Sequence, residues 1–182
     1  MSPYNQALHG GVVVPAQALL ALRQGLEQAG QDPAALMQAA GFATGAHLLQ
    51  SFASWLGEAH GLTDPAQLDQ ALLDPVLSEF LTALGWGTVT VHALGHGLVA
   101  VDSHDWAEAA PGTATWPSCH LSSGMIASFL GQLGGQVLGA LEVECRSRGD
   151  ARCRFIAGDP DNLHTLYDRL ANGASLDEVL NG

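Results

Sequence analysis

The chain has 182 residues and a mass of 18.9 kDa, the size of one domain with room for a sizeable core. Hydrophobic residues make up 47% and charged residues only 13%, which excludes a disordered tail or a solvated coiled coil. Six Arg, no Lys and eighteen Asp and Glu give a formal charge of −12, so nucleic acid and anionic membrane surfaces are poor partners.

Met1 to Ala7 carries no basic residue. The apolar stretch from Gly10 to Leu22 is interrupted by Pro15 and Gln17 and falls short of the roughly 20 residues that span a bilayer. Neither an export signal nor a membrane segment is expected. Three Cys cannot close into a complete disulfide framework, and the expected compartment is the cytoplasm. There is no repeat and no composition break, so residues 1–182 read as a single domain.

The first helix is expected over Pro15 to Ala29, with Leu19, Leu20 and Leu22 on its pattern and Gly30 as its stop. Asp32 caps a second helical stretch, whose later part puts Leu48, Phe52, Trp55 and Leu56 on one face; Gly41 and Gly45 form a small-residue groove for close approach. A third stretch, Asp64 to Leu84, carries Leu77, Phe80, Leu81 and Leu84 and contains Pro75. After Gly85 and Gly87 the period falls to two, and Val89 to Val101 reads as a β-hairpin turning at Gly95-His96-Gly97. Asp102 to Pro117 is a polar loop. A fourth helix runs from about His120 to Gly134, a second hairpin joins Leu138–Arg146 to Arg152–Ile156 around Gly149, and a last helix spans about Asp161 to Ala171. This order gives an α+β fold in which helices pack against a small antiparallel sheet made of two β-hairpins.

The chemistry gathers at the three Cys. Cys119 stands at the entrance to the fourth helix, and Cys145 and Cys153 lie on the two arms of the second hairpin. A turn centred on Gly149 sets Cys145 opposite Cys153 and Glu144 opposite Arg154. Facing Cβ atoms about 4.5–5.5 Å apart suit either a disulfide or two ligands on one metal, and a reducing compartment favours the metal. A tetrahedral zinc site needs a fourth donor, and Glu142 or His120 is the local choice once Glu144 is engaged with Arg154. In a regular strand Glu142 points away from Cys145, so a bulge or twist between them is required.

The run from Cys119 to Phe155, with Gly124, Gly135, Glu142-Val143-Glu144-Cys145, Gly149 and Cys153, resembles the 4-vinyl reductase domain family. That family shares its fold with subunits of the Golgi tethering machinery and with the sensor domains of bacterial activators that respond to aromatic compounds. The resemblance implies a zinc ion held by Cys119, Glu142, Cys145 and Cys153, within a zinc-binding part of about residues 117–157. It also implies a homodimer. In the aromatic sensors a His late in the third helix and a Trp on the second strand hold the effector; Thr82-Ala83-Leu84 and Val99-Ala100-Val101 stand there in this chain, with His60, Trp86 and Trp106 as nearby substitutes.

Other patterns carry less. The eight His show no HExxH spacing, Asp102, His104 and Asp105 belong to a polar loop with no paired nucleophile, and Gly131 to Gly139 is not a nucleotide fingerprint. The reading is a domain that binds a hydrophobic or aromatic small molecule, with structural zinc, acting through a signalling partner protein. Its pocket is expected near Phe52, Trp55, Phe80, Leu84, Trp86 and Val101. The alternatives are an enzyme or accessory factor in tetrapyrrole vinyl reduction, and an assembly subunit. Catalysis is the lesser expectation, because three thiolates and a carboxylate leave zinc no open position.

Overall fold

In a computed structural model, residues 11–181 are described; the reading of Met1 to Ala7 concerns residues outside that range. The helices are α1 (Ala16–Gln28), α2 (Pro33–Ala43), α3 (Gly45–His60), α4 (Gln70–Ala83), α5 (His120–Leu133), α6 (Pro160–Ala171) and α7 (Leu176–Asn181). The strands β1 (Thr90–Gly95), β2 (Leu98–Ser103), β3 (Gly139–Glu144) and β4 (Cys153–Gly158) form one antiparallel sheet in the order β1-β2-β4-β3. The two expected hairpins are thus zipped together through β2 and β4, in the α+β class expected.

Strand alternation separates two apolar layers. Val101, Phe155 and Ala157 face the main core with α3, α4 and α5, while Leu98, Ile156 and Leu141 meet Leu163 and Leu166 of α6 on the opposite face. The helix α5 is the centre of the molecule, with every residue from Ser122 to Phe129 buried. Its approach to α2 is backbone on backbone. A Cβ on Gly41 would lie 1.9 Å from the Leu121 carbonyl oxygen, and one on Gly124 would lie 1.9 Å from that of Gln38. The small-residue groove read at Gly41 and Gly45 is therefore the seat of α5, since Gly45 faces Ser128 in the same way.

Three boundaries differ from expectation. The second helical stretch breaks at Thr44, whose hydroxyl donates to the Gly41 carbonyl at 2.7 Å and so competes with the helical ladder. Pro75 does not break α4, which runs through it. The short α7 follows Gly173 and has no counterpart in the sequence reading, being only six residues long.

The helix α1 is loosely attached. Arg23 is its one buried residue, and the Arg23 guanidinium donates to Thr113 Oγ1 at 3.0 Å. Leu22 is exposed, and Leu19 and Leu20 are half-buried, whereas Phe52 is fully buried and cannot face a second copy. No described helix is long and apolar enough to cross a membrane.

Candidate metal centre and ligand cleft

The sheet ladder positions the metal cluster. From Gly139 to Glu142, β3 pairs with β4 in one register; between Glu142 and Glu144 the register slips, so that Glu144 faces Arg154. This is the bulge that the alternation required. It turns both Glu142 and Cys145 inward and leaves Glu144 on the outer face, where the Arg152 guanidinium binds it bidentately at 2.9 and 3.0 Å. Arg154 pairs chiefly with Asp102, at 2.6 and 2.7 Å, rather than with Glu144, 3.7 Å away. The ladder ends at Glu144, and Cys153 pairs across to Ser103 of β2 instead of Cys145.

Cys119 arrives from the other side, as the N-cap residue of α5. All three Cys are free and buried, and one ligand atom each from Cys119, Glu142, Cys145 and Cys153 lies within 4.8 Å of the others. His120, the alternative fourth donor, is not in the cluster.

These residues fit a metal ion. Zinc–sulfur bonds near 2.3 Å give a tetrahedral edge of about 3.8 Å, and Cys119 Sγ lies 3.8 Å from Cys145 Sγ and 4.0 Å from Cys153 Sγ. Glu142 Oε2 accepts the Cys119 backbone N–H at 2.9 Å, while its Oε1, equally buried, has no hydrogen-bond partner. A buried carboxylate oxygen left in that condition is costly unless something occupies it. Burial, with the adjacent Cys145 sulfur, pushes the Glu142 carboxyl up to about 8. Contacts from Cys119 and Cys153 hold the Cys145 thiol far below its usual range, and the same contact with Cys145 pushes Cys119 far up. The cluster is thus built around negative charge that has no basic residue to neutralise it, the setting in which a cation is bound.

A second buried carboxylate lies beside the cluster, at a position no sequence pattern marks. Glu108 accepts the backbone N–H groups of Leu121 at 3.1 Å and Ser122 at 2.8 Å, and the Ser122 hydroxyl as well; that hydroxyl accepts the Trp106 indole N–H at 2.7 Å. Glu108 and Glu142 between them satisfy three orphan donors at the start of α5, where carboxylates are stabilised. Glu108 belongs to the loop between β2 and α5, outside any periodic segment. Asp105, in the same loop, accepts from Thr88 and Ser103, and His104 Nδ1 lies 3.2 Å from the Ala151 carbonyl oxygen, so this loop is structural.

The residues expected around a pocket divide. Phe52, Trp55, Phe80 and Val101 are packed in the core, with Phe52 and Phe80 ring centroids 5.1 Å apart. Between α4, β1, β2 and α5, beside Val101, there is only a void of about 10 Å³, no more than one water. Leu84 and Trp86 instead line a cleft of about 370 Å³ on the outer side of α5, together with Val12 to Val14, α3, Leu121 and Met125. Of the other nearby substitutes for the sensors' effector contacts, Trp106 is in the core stacked on Trp86 with centroids 5.4 Å apart, and His60 pairs with Glu79 at 3.2 Å.

Residues 103–159 match the family model of the 4-vinyl reductase domain. The resemblance read from Cys119 to Phe155 lies inside that segment, which contains all four cluster residues. The fold is similar to the crystal structure of the phenol-responsive sensory domain of the transcription activator PoxR with phenol. That match has a TM-score of 0.59 at 19% identity, over 90% of this chain and 84% of the other. A vinyl-4-reductase family protein from Methanocaldococcus jannaschii aligns with a TM-score of 0.49 at 13% identity, over 86% of this chain and 88% of the other. No curated protein matches the sequence.

Proposed function

We propose that this chain, with its 4-vinyl reductase domain segment, is a small-molecule-binding sensory domain with a structural zinc ion, read out through a partner protein. The observation that carries the reading is the placement of α5. Its N-cap residue, Cys119, belongs to the sulfur cluster, and Leu121 and Met125, two and six residues on, line the cleft. A guest in the cleft therefore presses on the helix whose start the cluster holds.

Zinc on Cys119, Glu142, Cys145 and Cys153 supplies folding energy and pins the β3–β4 hairpin to α5; its tetrahedron is complete, which disfavours water activation. The guest is a hydrophobic or aromatic molecule, in keeping with the phenol-responsive domain to which the fold is similar. Leu84 and Trp86 touch it, while Phe52, Trp55, Phe80 and Val101 make the wall behind rigid. The domain works in the cytoplasm as a homodimer, through the exposed apolar surface of α1.

Thermal denaturation across hydrophobic, aromatic and polar compounds tests the reading, because a ligand that binds only the native state raises its apparent stability. Apolar or aromatic compounds are expected to raise Tm. Stabilisation by polar metabolites alone contradicts it.

A further inference from the structure

We infer that the outer cleft selects an uncharged amphiphile, an apolar body carrying one hydroxyl or carbonyl, and that Ser51 is the residue that binds the polar group. This rests on the small-molecule reading above and adds to it the site and the class of guest.

The cleft is built with two unlike walls. Thr44, His47, Leu48 and Ser51 are spaced three, four and seven residues apart, so they form one stripe of α3 and its N-cap facing the cleft. Three of these four carry polar groups. The opposite wall is apolar: Val12 and Val13 ahead of α1, Leu19 of α1, Leu84 and Trp86 after α4, and Met125 of α5. Among the described residues no Arg, Asp or Glu lines it, and the chain has no Lys. A carboxylate or phosphate guest would find no counter-ion there and would meet the field of a chain with formal charge −12.

Ser51 gives the second, independent indication. It is only 5% exposed, it lines the cleft, and its hydroxyl makes no hydrogen bond among the described residues. Thr44, by contrast, already donates to Gly41. A buried hydroxyl without a partner is costly, and a guest carrying a single donor or acceptor satisfies it. The exposed side chains of Val12 and Val13, at 82% and 77%, then lose water as the apolar body seats against them.

The polar stripe also distinguishes this cleft from the void beside Val101, which has no polar lining and no room. Leu48 and Met125 line both spaces and form the partition between them.

Calorimetric titration of the full chain with 1-octanol, octanoate and phenol tests the inference, using the wild type, Ser51→Ala and Ala16→Trp. Ala16 is a partly exposed cleft residue at the start of α1, so Trp there fills the cleft without entering the core; denaturation of each variant verifies folding. The expected result is that 1-octanol binds at least ten-fold more tightly than octanoate. Ser51→Ala should weaken 1-octanol by about three- to ten-fold, the worth of one hydrogen bond. Ala16→Trp should abolish its binding. Binding of 1-octanol unchanged by both substitutions overturns the site and leaves the small-molecule reading standing. Octanoate binding as tightly as 1-octanol overturns the proposed class. Failure of 1-octanol and phenol alike, in the wild type, counts against both.

Discussion

Glu142 and Cys145 face the same buried cluster although three residues separate them on one arm of a hairpin, because the ladder slips between Glu142 and Glu144. The slip gives two neighbouring carboxylates opposite tasks. Glu142→Gln is expected to lower zinc affinity by at least the roughly 10–100-fold typical of an outer-shell change. Glu144→Gln should leave zinc in place and cost about 1 kcal/mol or less, since its pairs with Arg152 and Arg154 are partly exposed. Chelator competition and chemical denaturation measure the two; a greater loss of zinc from Glu144→Gln reverses the assignment.

The contact of α2 with α5 admits no side chain at its centre. Gly41→Ala and Gly124→Ala each set a Cβ against a backbone carbonyl, and each is expected to destabilise by about 2–4 kcal/mol. Gly25, in α1, has nothing within 4 Å of where a Cβ would stand, so Gly25→Ala should stabilise by about 0.5–1 kcal/mol. Urea midpoints for the three variants check both signs.

Glu108 predicts a pH dependence. Burial raises its carboxyl above the ordinary 4.5, against hydrogen bonds from Ser122 and Leu121 that lower it. A carboxyl whose folded pKa is raised contributes stability that is whole below the unfolded value and is lost as pH rises through the folded one. Stability measured between about pH 4 and 8 should therefore show a falling contribution that Glu108→Gln removes. An identical pH profile for the variant shows that Glu108 does not carry it.

The apolar surface of α1 predicts self-association. Val12, Val13 and Leu22 are exposed and Arg23 alone of α1 is buried, so a second copy covering them is expected to give a mass of about 38 kDa, twice 18.9 kDa. Leu22→Glu should return the protein to the single-chain mass. Light scattering that gives about 19 kDa for the wild type at all concentrations contradicts the dimer.

Period and spacing made much of this legible. Alternation identified both hairpins, Gly41 and Gly45 marked a close contact, and the turn centred on Gly149 placed Glu144 opposite Arg154 as observed. Periodicity alone pointed Glu142 the wrong way, and only the need for a bulge anticipated the slip. The aromatic stripe of Phe52, Trp55 and Phe80 looks the same in sequence whether it lines a pocket or fills a core, and it fills the core. The cleft lies where Val12 to Val14 meet α3 and Trp86, a long-range contact no local pattern encodes. Glu108 was invisible for the same reason: its partners at Leu121 and Ser122 lie thirteen and fourteen residues away, across a loop without repeat.

The most direct test of the account is the metal content of the purified chain, read beside its stability in the wild type and in Cys153→Ser. Elemental analysis is expected to find about one zinc per chain in the wild type, as four buried donors on one ion require. Cys153→Ser should lose zinc and about 3 kcal/mol or more together, a fall in Tm of roughly 6–12 °C for a chain of this size. Wild-type protein carrying far less than one zinc per chain, with a Tm that chelators do not lower, would contradict the account.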